Sequence, residues 1–222
     1  MHAKQIPRLY PILDAEMVLR DAGTDRARRH ALLRSIVAEL AEAGVEILQY
    51  RNKRDEDAVV IEDAQVIREA ARRLGSAPMR LILNDRAALV ADLGWDGVHV
   101  GQEDLAAYEA RKLVGDAAWI GLSTHNEVQL RAADREPVDY IAIGPVFATG
   151  SKANPDPVIG LEGVRRARSV TNKPLVAIGG ITSEAAPGIV EAGADSVAVI
   201  AAIFASGRSA GDSARDFLSK FK

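Results

Sequence analysis

The sequence predicts a (β/α)₈ barrel, the TIM-barrel form of the α/β class, on three observations. Short apolar runs alternate with longer amphipathic segments along all 222 residues. The apolar runs are nearly continuous, as strands buried on both faces of a parallel sheet must be. The length suits closure, since α/β barrels run to about 200–250 residues as one domain. One barrel domain is therefore expected over residues 1–222, with no linker, low-complexity tract or short repeat to divide it. An open doubly wound sheet is the competing arrangement. The first strand is not followed by Gly-x-Gly-x-x-Gly, which weakens its dinucleotide-binding version.

The strands are RLYPILD, VEILQY, RLILN, GVHVG, WIGLS, DYIAIG, PLVAIGG and DSVAVIAAIF, eight in all. The first helix, RHALLRSIVAELAEAG, carries Leu32, Leu33, Ile36, Val37 and Leu40 on one stripe. The others are DAVVIEDAQVIREAARRLG, RAALVADLG, LAAYEARKLVG, NEVQLRAAD, LEGVRRARSV, SEAAPGIVEAG and SARDFLSKF. Gly44, Gly75, Gly94, Gly115 and Gly193 end their segments as left-handed caps do. Pro187 lies early in its segment, where a helix tolerates proline. The segment from Ala148 to Gly160, ATGSKANPDPVIG, is the one long Gly/Pro/Asn-rich loop and is expected to act as a lid.

Composition narrows the function. Apolar residues are 48% of the chain, charged residues 27%, and the net charge is −3. That balance gives no footprint for nucleic acid or an anionic membrane, though a local basic pocket for a small anion is compatible with it. With no cysteine, disulfides, thiolate metal sites and cysteine nucleophiles are excluded. No run reaches membrane-spanning length, and MHAKQIPRLY has no signal-peptide apolar region, so a cytoplasmic protein is expected.

In VEILQYRNK an apolar strand ends in Gln49, Arg51 and Lys53 at alternate positions, so all three would face one place if the chain stayed extended. A strand leaving the core for solvent would read the same way. Other strand ends carry polar groups too: Asn84 and Asp85, the loop Gly101 to Asp104, Ser123 with Thr124 and His125, Thr149 with Ser151 and Lys152, and Gly179 with Gly180. In a barrel all of these meet at one rim, where sites lie. Arg51, Lys53 and Lys152 point to a phosphate-bearing ligand, most simply a diphosphate. Asp85 and Asp104 beside them suggest Mg²⁺, which bridges a few carboxylates to substrate phosphates. Either aspartate could instead cap the helix that follows it. The turns after the seventh and eighth strands can cradle a second phosphate with backbone N–H groups, unless Gly179-Gly180 only permits a tight turn. His99 mid-strand is read as a packed or rim residue, His125 as a residue that either orients substrate or faces solvent. Arg165 to Arg168 are read as a solvated helix face, and Trp95 and Trp119 as core or interface aromatics.

The motifs QYRNK, NDR, GVHVGQEDL, IGLSTHN, DYIAIGPVFATGSK, GLEGVR, VAIGGI and EAGADSVAVIAAIF resemble, in order and spacing, those of the thiamine-phosphate synthase family, from about Leu9 to Phe204. The resemblance implies a Mg²⁺-dependent transferase. It joins 4-amino-2-methyl-5-hydroxymethylpyrimidine diphosphate to thiazole phosphate, giving thiamine phosphate and pyrophosphate. It assigns Gln49, Tyr50, Arg51, Asn52 and Lys53 to the pyrimidine diphosphate, with Asn84, Ser123 and Lys152. It assigns Asp85 and Asp104 to Mg²⁺. Thr149, Gly150 and Ser151, with Gly180, Ile200 and Ala201, fall on the thiazole phosphate. Arg51, Lys53, Lys152 and Ser123 are the residues expected to take part in the chemistry.

The family usually has Thr at Ser151, Pro at Ala148 and Ser at Ala201. Ser151 keeps its hydroxyl, whereas Ala201 loses one, at a cost of ~1.5–3 kcal/mol in binding a charged group. The family reacts dissociatively: the aminopyrimidine stabilises a methylene cation, pyrophosphate leaves, and the thiazole nitrogen captures the cation, with the lid excluding water. The related thiazole tautomerase lacks the full pyrimidine-diphosphate and magnesium set, so Gln49, Lys53, Asp85 and Asp104 argue against it. Only Ala201 favours a silent sensor of thiamine intermediates. The expected partners are the two small-molecule substrates, with no nucleic acid or membrane. A homodimer is left open.

Overall fold

A computed structural model describes residues 5–22, 25–73, 79–150 and 156–221. Eight parallel strands close in sequence order into a barrel, β8 pairing back onto β1. They are β1 (Leu9–Asp14), β2 (Ile47–Arg51), β3 (Arg80–Asn84), β4 (Gly97–Val100), β5 (Trp119–Thr124), β6 (Tyr140–Ile143), β7 (Leu175–Ile178) and β8 (Ser196–Val199). The covering helices are α1 (Ala15–Val18), α2 (Arg26–Glu42), α3 (Asp57–Arg73), α4 (Val90–Leu93), α5 (Ala107–Val114), α6 (Glu127–Arg135), α7 (Gly160–Val170), α8 (Ala186–Glu191), α9 (Ala201–Phe204) and α10 (Ala210–Ser219).

The helix boundaries follow local chemistry. Asp25, Asn126 and Ser209 cap α2, α6 and α10, each side chain accepting a backbone N–H of the first turn. Gly94 ends α4 in the left-handed conformation, φ 58°. The predicted stripe of α2 is buried at Leu33, Ile36, Val37 and Leu40, with Leu32 at its edge.

Two segments differ from the reading of the sequence. DSVAVIAAIF is not one strand: β8 stops at Val199, Ile200 turns the chain, and Ala201–Phe204 is helical. An unbroken apolar run does not mark where a strand gives way to a buried helix. RAALVADLG is a 3₁₀ turn at Ala87–Leu89 followed by the single-turn α4.

Strand alternation sorts the core into two layers. Leu9, Leu13, Leu48, Tyr50, Val98 and Ile120 face outward and pack with the helices. Tyr10, Ile12, Ile47, Ile82, Trp119, Tyr140, Ala142, Val176 and Ala198 fill the interior. The strand carboxyl ends therefore sit on a packed plug, and polar side chains above it line the mouth.

Candidate active site

The first corner of the mouth is built by β1 and β2. Their register places Asp14 beside Arg51, and the guanidinium Nη1 donates to the Asp14 carboxylate. Asp14 is buried and also accepts the Met17 N–H at 3.2 Å, capping α1. Two residues earlier, Gln49 is buried on the same interior face, its Nε2 donating to the Tyr10 hydroxyl at 3.1 Å.

Tyr50 and Asn52 are assigned to the substrate by the resemblance, but their side chains lie elsewhere. Tyr50 is fully buried in the outer layer and its hydroxyl donates to Asp63 of α3. Arg29 of α2 grips Asp63 through Nε at 2.9 Å and reaches Asp55 at 2.8 Å. Asn52 donates to the Tyr50 hydroxyl at 3.1 Å and to Asp55 at 2.9 Å, and its carbonyl oxygen accepts the Arg54 and Asp55 amides. Alternation puts Tyr50 on the opposite face from Gln49 and Arg51. Tyr50 and Asn52 thus brace the β2–α3 loop from behind.

That loop presents Lys53. Its Nζ lies 3.1 Å from Asp85 Oδ2 and 4.0 Å from Asp104 Oδ2. Neither aspartate caps the next helix. The 3₁₀ turn after β3 and α5 both start without a side-chain cap. Asp104 instead accepts the Gly101 amide at 2.8 Å. Asp85 has φ 64°, the one positive value at a non-glycine residue among the described residues. Burial pushes the Asp85 carboxyl above the usual range, and its hydrogen bond with Asp104 adds to this against the pull of Lys53. For Asp104 burial works in the same sense, but the bonds from Asp85 and the Gly101 amide, with Lys53, outweigh it and hold that carboxyl below its usual value.

Arg86 ties this corner to the previous one. Its guanidinium donates to the Asn52 carbonyl, to the Asp55 carbonyl at 2.9 Å and to Asp57 at 2.7 Å. Asn84, one residue before Asp85, is buried, and its Nδ2 finds no partner among the described residues. Such a donor is costly unless a ligand accepts from it.

The donor set fits Mg²⁺. Two hard carboxylates converge on an ammonium, so the position already favours positive charge. Two carboxylates suit an ion that fills the rest of its shell with waters and phosphate oxygens.

On the far side of the mouth, Ser123 at the end of β5 is bonded to His99 of β4, Oγ to Nε2 at 2.8 Å. His125 points away, its Nδ1 bonding the Gly144 carbonyl at 2.9 Å and lying 3.4 Å from Asp156. It borders a cavity of about 390 Å³ between α6 and α7, off the rim.

The remaining quarter is formed after β6, β7 and β8. Thr149 is half-buried and Gly150 exposed; Ser151 and Lys152 fall outside the described residues, as does the middle of the expected lid. Gly179 and Gly180 have φ of 104° and 62°, and a Cβ on Gly180 would overlap the Ala148 carbonyl. The glycines therefore do more than permit a turn: they let it lie against the segment that carries Thr149. Ile200 is half-buried, and Ala201, exposed, is the first residue of α9.

The profile of the family described as thiamine monophosphate synthase matches residues 21–203. The chain belongs to the thiamine-phosphate synthase family. It is 47% identical over 197 residues to the thiamine-phosphate synthase of Koribacter versatilis (strain Ellin345), covering 89% of each chain. It is 39% identical over 188 residues to that of Chloroflexus aurantiacus, covering 85% of this chain and 84% of the relative. Among solved structures it is similar to the thiamine phosphate pyrophosphorylase from Pyrococcus furiosus, with TM-score 0.78, 26% identity, and coverage of 96% and 94%. It is accordingly a transferase of thiamine biosynthesis, as the motifs implied.

Of the residues that the synthase resemblance assigns, the rim brings together Gln49, Arg51, Lys53, Asn84, Asp85, Asp104 and Ser123. Three residues at or beneath it were not anticipated. Asp14, the last residue of PILD, was visible as a charge ending an apolar run. Tyr10 and Tyr140 had no such signal, because they acquire their partners only when the barrel closes.

Proposed function

We propose that this synthase joins 4-amino-2-methyl-5-hydroxymethylpyrimidine diphosphate to thiazole phosphate at the rim described above. The observation that carries the reading is Lys53 between Asp85 and Asp104, at 3.1 and 4.0 Å, with Arg51 at the neighbouring strand end. Mg²⁺ held by Asp85 and Asp104 would neutralise diphosphate charge when bound.

The chain's own residues do the rest. Arg51 and Lys53 bind the diphosphate and stabilise it as it departs, with Lys152 from the β6–α7 loop. The bond between the pyrimidine methylene and the diphosphate oxygen breaks, its electron pair leaving with pyrophosphate. The thiazole nitrogen lone pair then forms the new C–N bond. Gln49, Asn84 and Ser123 hold the pyrimidine, and the unpartnered Asn84 amide supports that role. Thr149, Gly150, Ser151, Gly180, Ile200 and Ala201 hold the thiazole phosphate. No protein nucleophile is needed, and positioning of the two substrates supplies much of the acceleration. Phosphorylated substrates do not cross membranes unaided, which supports a cytoplasmic enzyme. No helix among the described residues is long and apolar enough to span one.

The test is pyrophosphate release by the purified protein with both substrates and Mg²⁺, each omitted in turn. Release that needs all three is expected. Release without the thiazole phosphate at the same rate would refute the joining reaction.

A further inference from the structure

Five side chains from five strands form one unbranched hydrogen-bonded chain through the barrel. Gln49 Nε2 donates to the Tyr10 hydroxyl at 3.1 Å, and the Tyr10 and Tyr140 hydroxyls meet at 2.8 Å. Tyr140 is 3.0 Å from His99 Nδ1, and His99 Nε2 is 2.8 Å from Ser123 Oγ. The two rings that flank the His99–Tyr140 bond are stacked, centroids 5.5 Å apart. Gly121 makes room for the bond, since a Cβ there would overlap both the Tyr140 ring and His99 Nδ1. The three middle members are buried, and each has only these two hydrogen-bond partners among the described residues.

Counting protons ties the direction of every bond to the Gln49 amide, whose Nε2 is the end that faces Tyr10. Each hydroxyl has one proton, the neutral imidazole has one, and the amide nitrogen only donates. The His99 ring is buried and both its nitrogens bond hydroxyls rather than a carboxylate, so it is neutral. Because Gln49 donates to Tyr10, Tyr10 must donate to Tyr140, and Tyr140 to His99 Nδ1. The imidazole proton is then on Nε2 and goes to Ser123, whose own proton is left for the mouth. A proton on Nδ1 would strand the Tyr10 hydroxyl, buried, between two donors. Turning the Gln49 amide over would reverse every bond at once. What Gln49 and Ser123 offer a ligand is therefore set jointly, across the whole barrel.

We propose that this chain fixes Ser123 as a hydroxyl donor and Gln49 as a carbonyl acceptor toward the pyrimidine, and so selects a 4-aminopyrimidine over its 4-oxo counterpart. The proposal rests on the pyrimidine reading of the rim given above. A 4-amino ring presents an N–H donor to meet the Gln49 carbonyl at one end of the chain and a ring-nitrogen acceptor to meet the Ser123 hydroxyl at the other. A 4-oxo ring presents the reverse pattern, and a site built for one rejects the other because its own polar groups go unpaired. His99, Tyr140 and Tyr10 are positioning residues here, acting through Ser123 and Gln49.

The first measurement is ¹⁵N NMR of histidine-labelled wild-type protein. There are four histidines to assign, and His99→Gln identifies the signal by difference. The expected result is a proton on Nε2 and an unprotonated, hydrogen-bonded Nδ1. A proton on Nδ1 overturns the proposal. The second measurement is the ratio of dissociation constants for the 4-amino and 4-oxo pyrimidine diphosphates without thiazole phosphate. Binding is compared because the ring substituent also alters reactivity. Tyr140→Phe cuts the chain, and the ratio should fall about tenfold or more, one hydrogen bond's worth, as the tautomer preference is lost. An unchanged ratio in a folded variant overturns the proposal. Tyr10→Phe interrupts the chain at the next link and gives the same two readings if Tyr140→Phe does not fold. Failure of wild-type pyrophosphate release would count against the proposed reaction, and it is read separately from tautomer and ratio.

Discussion

Asp14 and Arg51, neighbours in the register of β1 and β2, form an ion pair at the edge of the mouth. The aspartate is the more buried partner and is itself fixed by the Met17 amide. Arg51 is thus aimed before any ligand arrives. Asp14→Ala should raise KM for the pyrimidine diphosphate by about tenfold, the equivalent of one charged hydrogen bond, with a smaller change in kcat. Steady-state kinetics with saturating thiazole phosphate checks this; an unaltered KM would mean Arg51 needs no support.

Asp85 is held at a cost to stability. Its carboxyl titrates above the usual value, so the stability tied to its protonated form is full below the ordinary aspartate pKa and is lost as pH rises through the raised one. At neutral pH the ionised group is a liability. Asp85→Asn removes the charge and keeps a residue type that tolerates positive φ. The ligand-free variant should melt higher, by about 2–4 °C for each kcal/mol recovered, while turnover falls at least about a hundredfold. Calorimetry and pyrophosphate release on the same sample decide it.

His99 contributes in the opposite pH direction. Its pKa is lowered to about 4 by burial, so the unfolded chain takes up a proton that the folded one refuses. That stability is full above the ordinary histidine value and declines as pH falls toward 4, by about 3 kcal/mol across the window. Denaturation curves between pH 7 and pH 4, compared with His99→Gln, should show a shallower loss in the variant.

Tyr50→Phe tests which face of β2 meets substrate. The hydroxyl bonds Asp63 and Asn52, both behind the strand. Stability should drop by roughly 1–2 kcal/mol, with kcat/KM for either substrate unchanged below the melting point. A rise in KM for the diphosphate with stability intact would return Tyr50 to the site.

Ala201→Ser restores a hydroxyl at the first residue of α9, which is exposed at the mouth. KM for thiazole phosphate should fall about tenfold, with KM for the pyrimidine unaffected. Equal KM values would show that the backbone alone serves this phosphate.

The alternation in VEILQYRNK was enough to place Gln49 and Arg51 on one face, and the closed sheet bears that out. The same rule put Tyr50 on the other face, but the family motif, taken as a block, carried Tyr50 and Asn52 along with it. Lys53 reaches the rim by a different route from the one its spacing suggested. β2 ends at Arg51, and the turn held by Asn52 delivers it. The interior hydrogen bonds were illegible for another reason. Tyr10 and Tyr140 are 130 residues apart and meet only because β1 and β6 face each other across the barrel. Local pattern reports which face a residue takes, and closure decides whom it meets.

Arg86 touches neither the paired carboxylates nor Lys53, yet its three bonds join the loop after β2 to the turn after β3. The two loops are thereby a single mechanical plate, with cation and anion mounted on the same piece. Their separation should therefore vary less than that of two loops without such a tie. In hydrogen exchange the amides of Asp55 and Asp85 should open together, as one cooperative unit rather than two frayed ends.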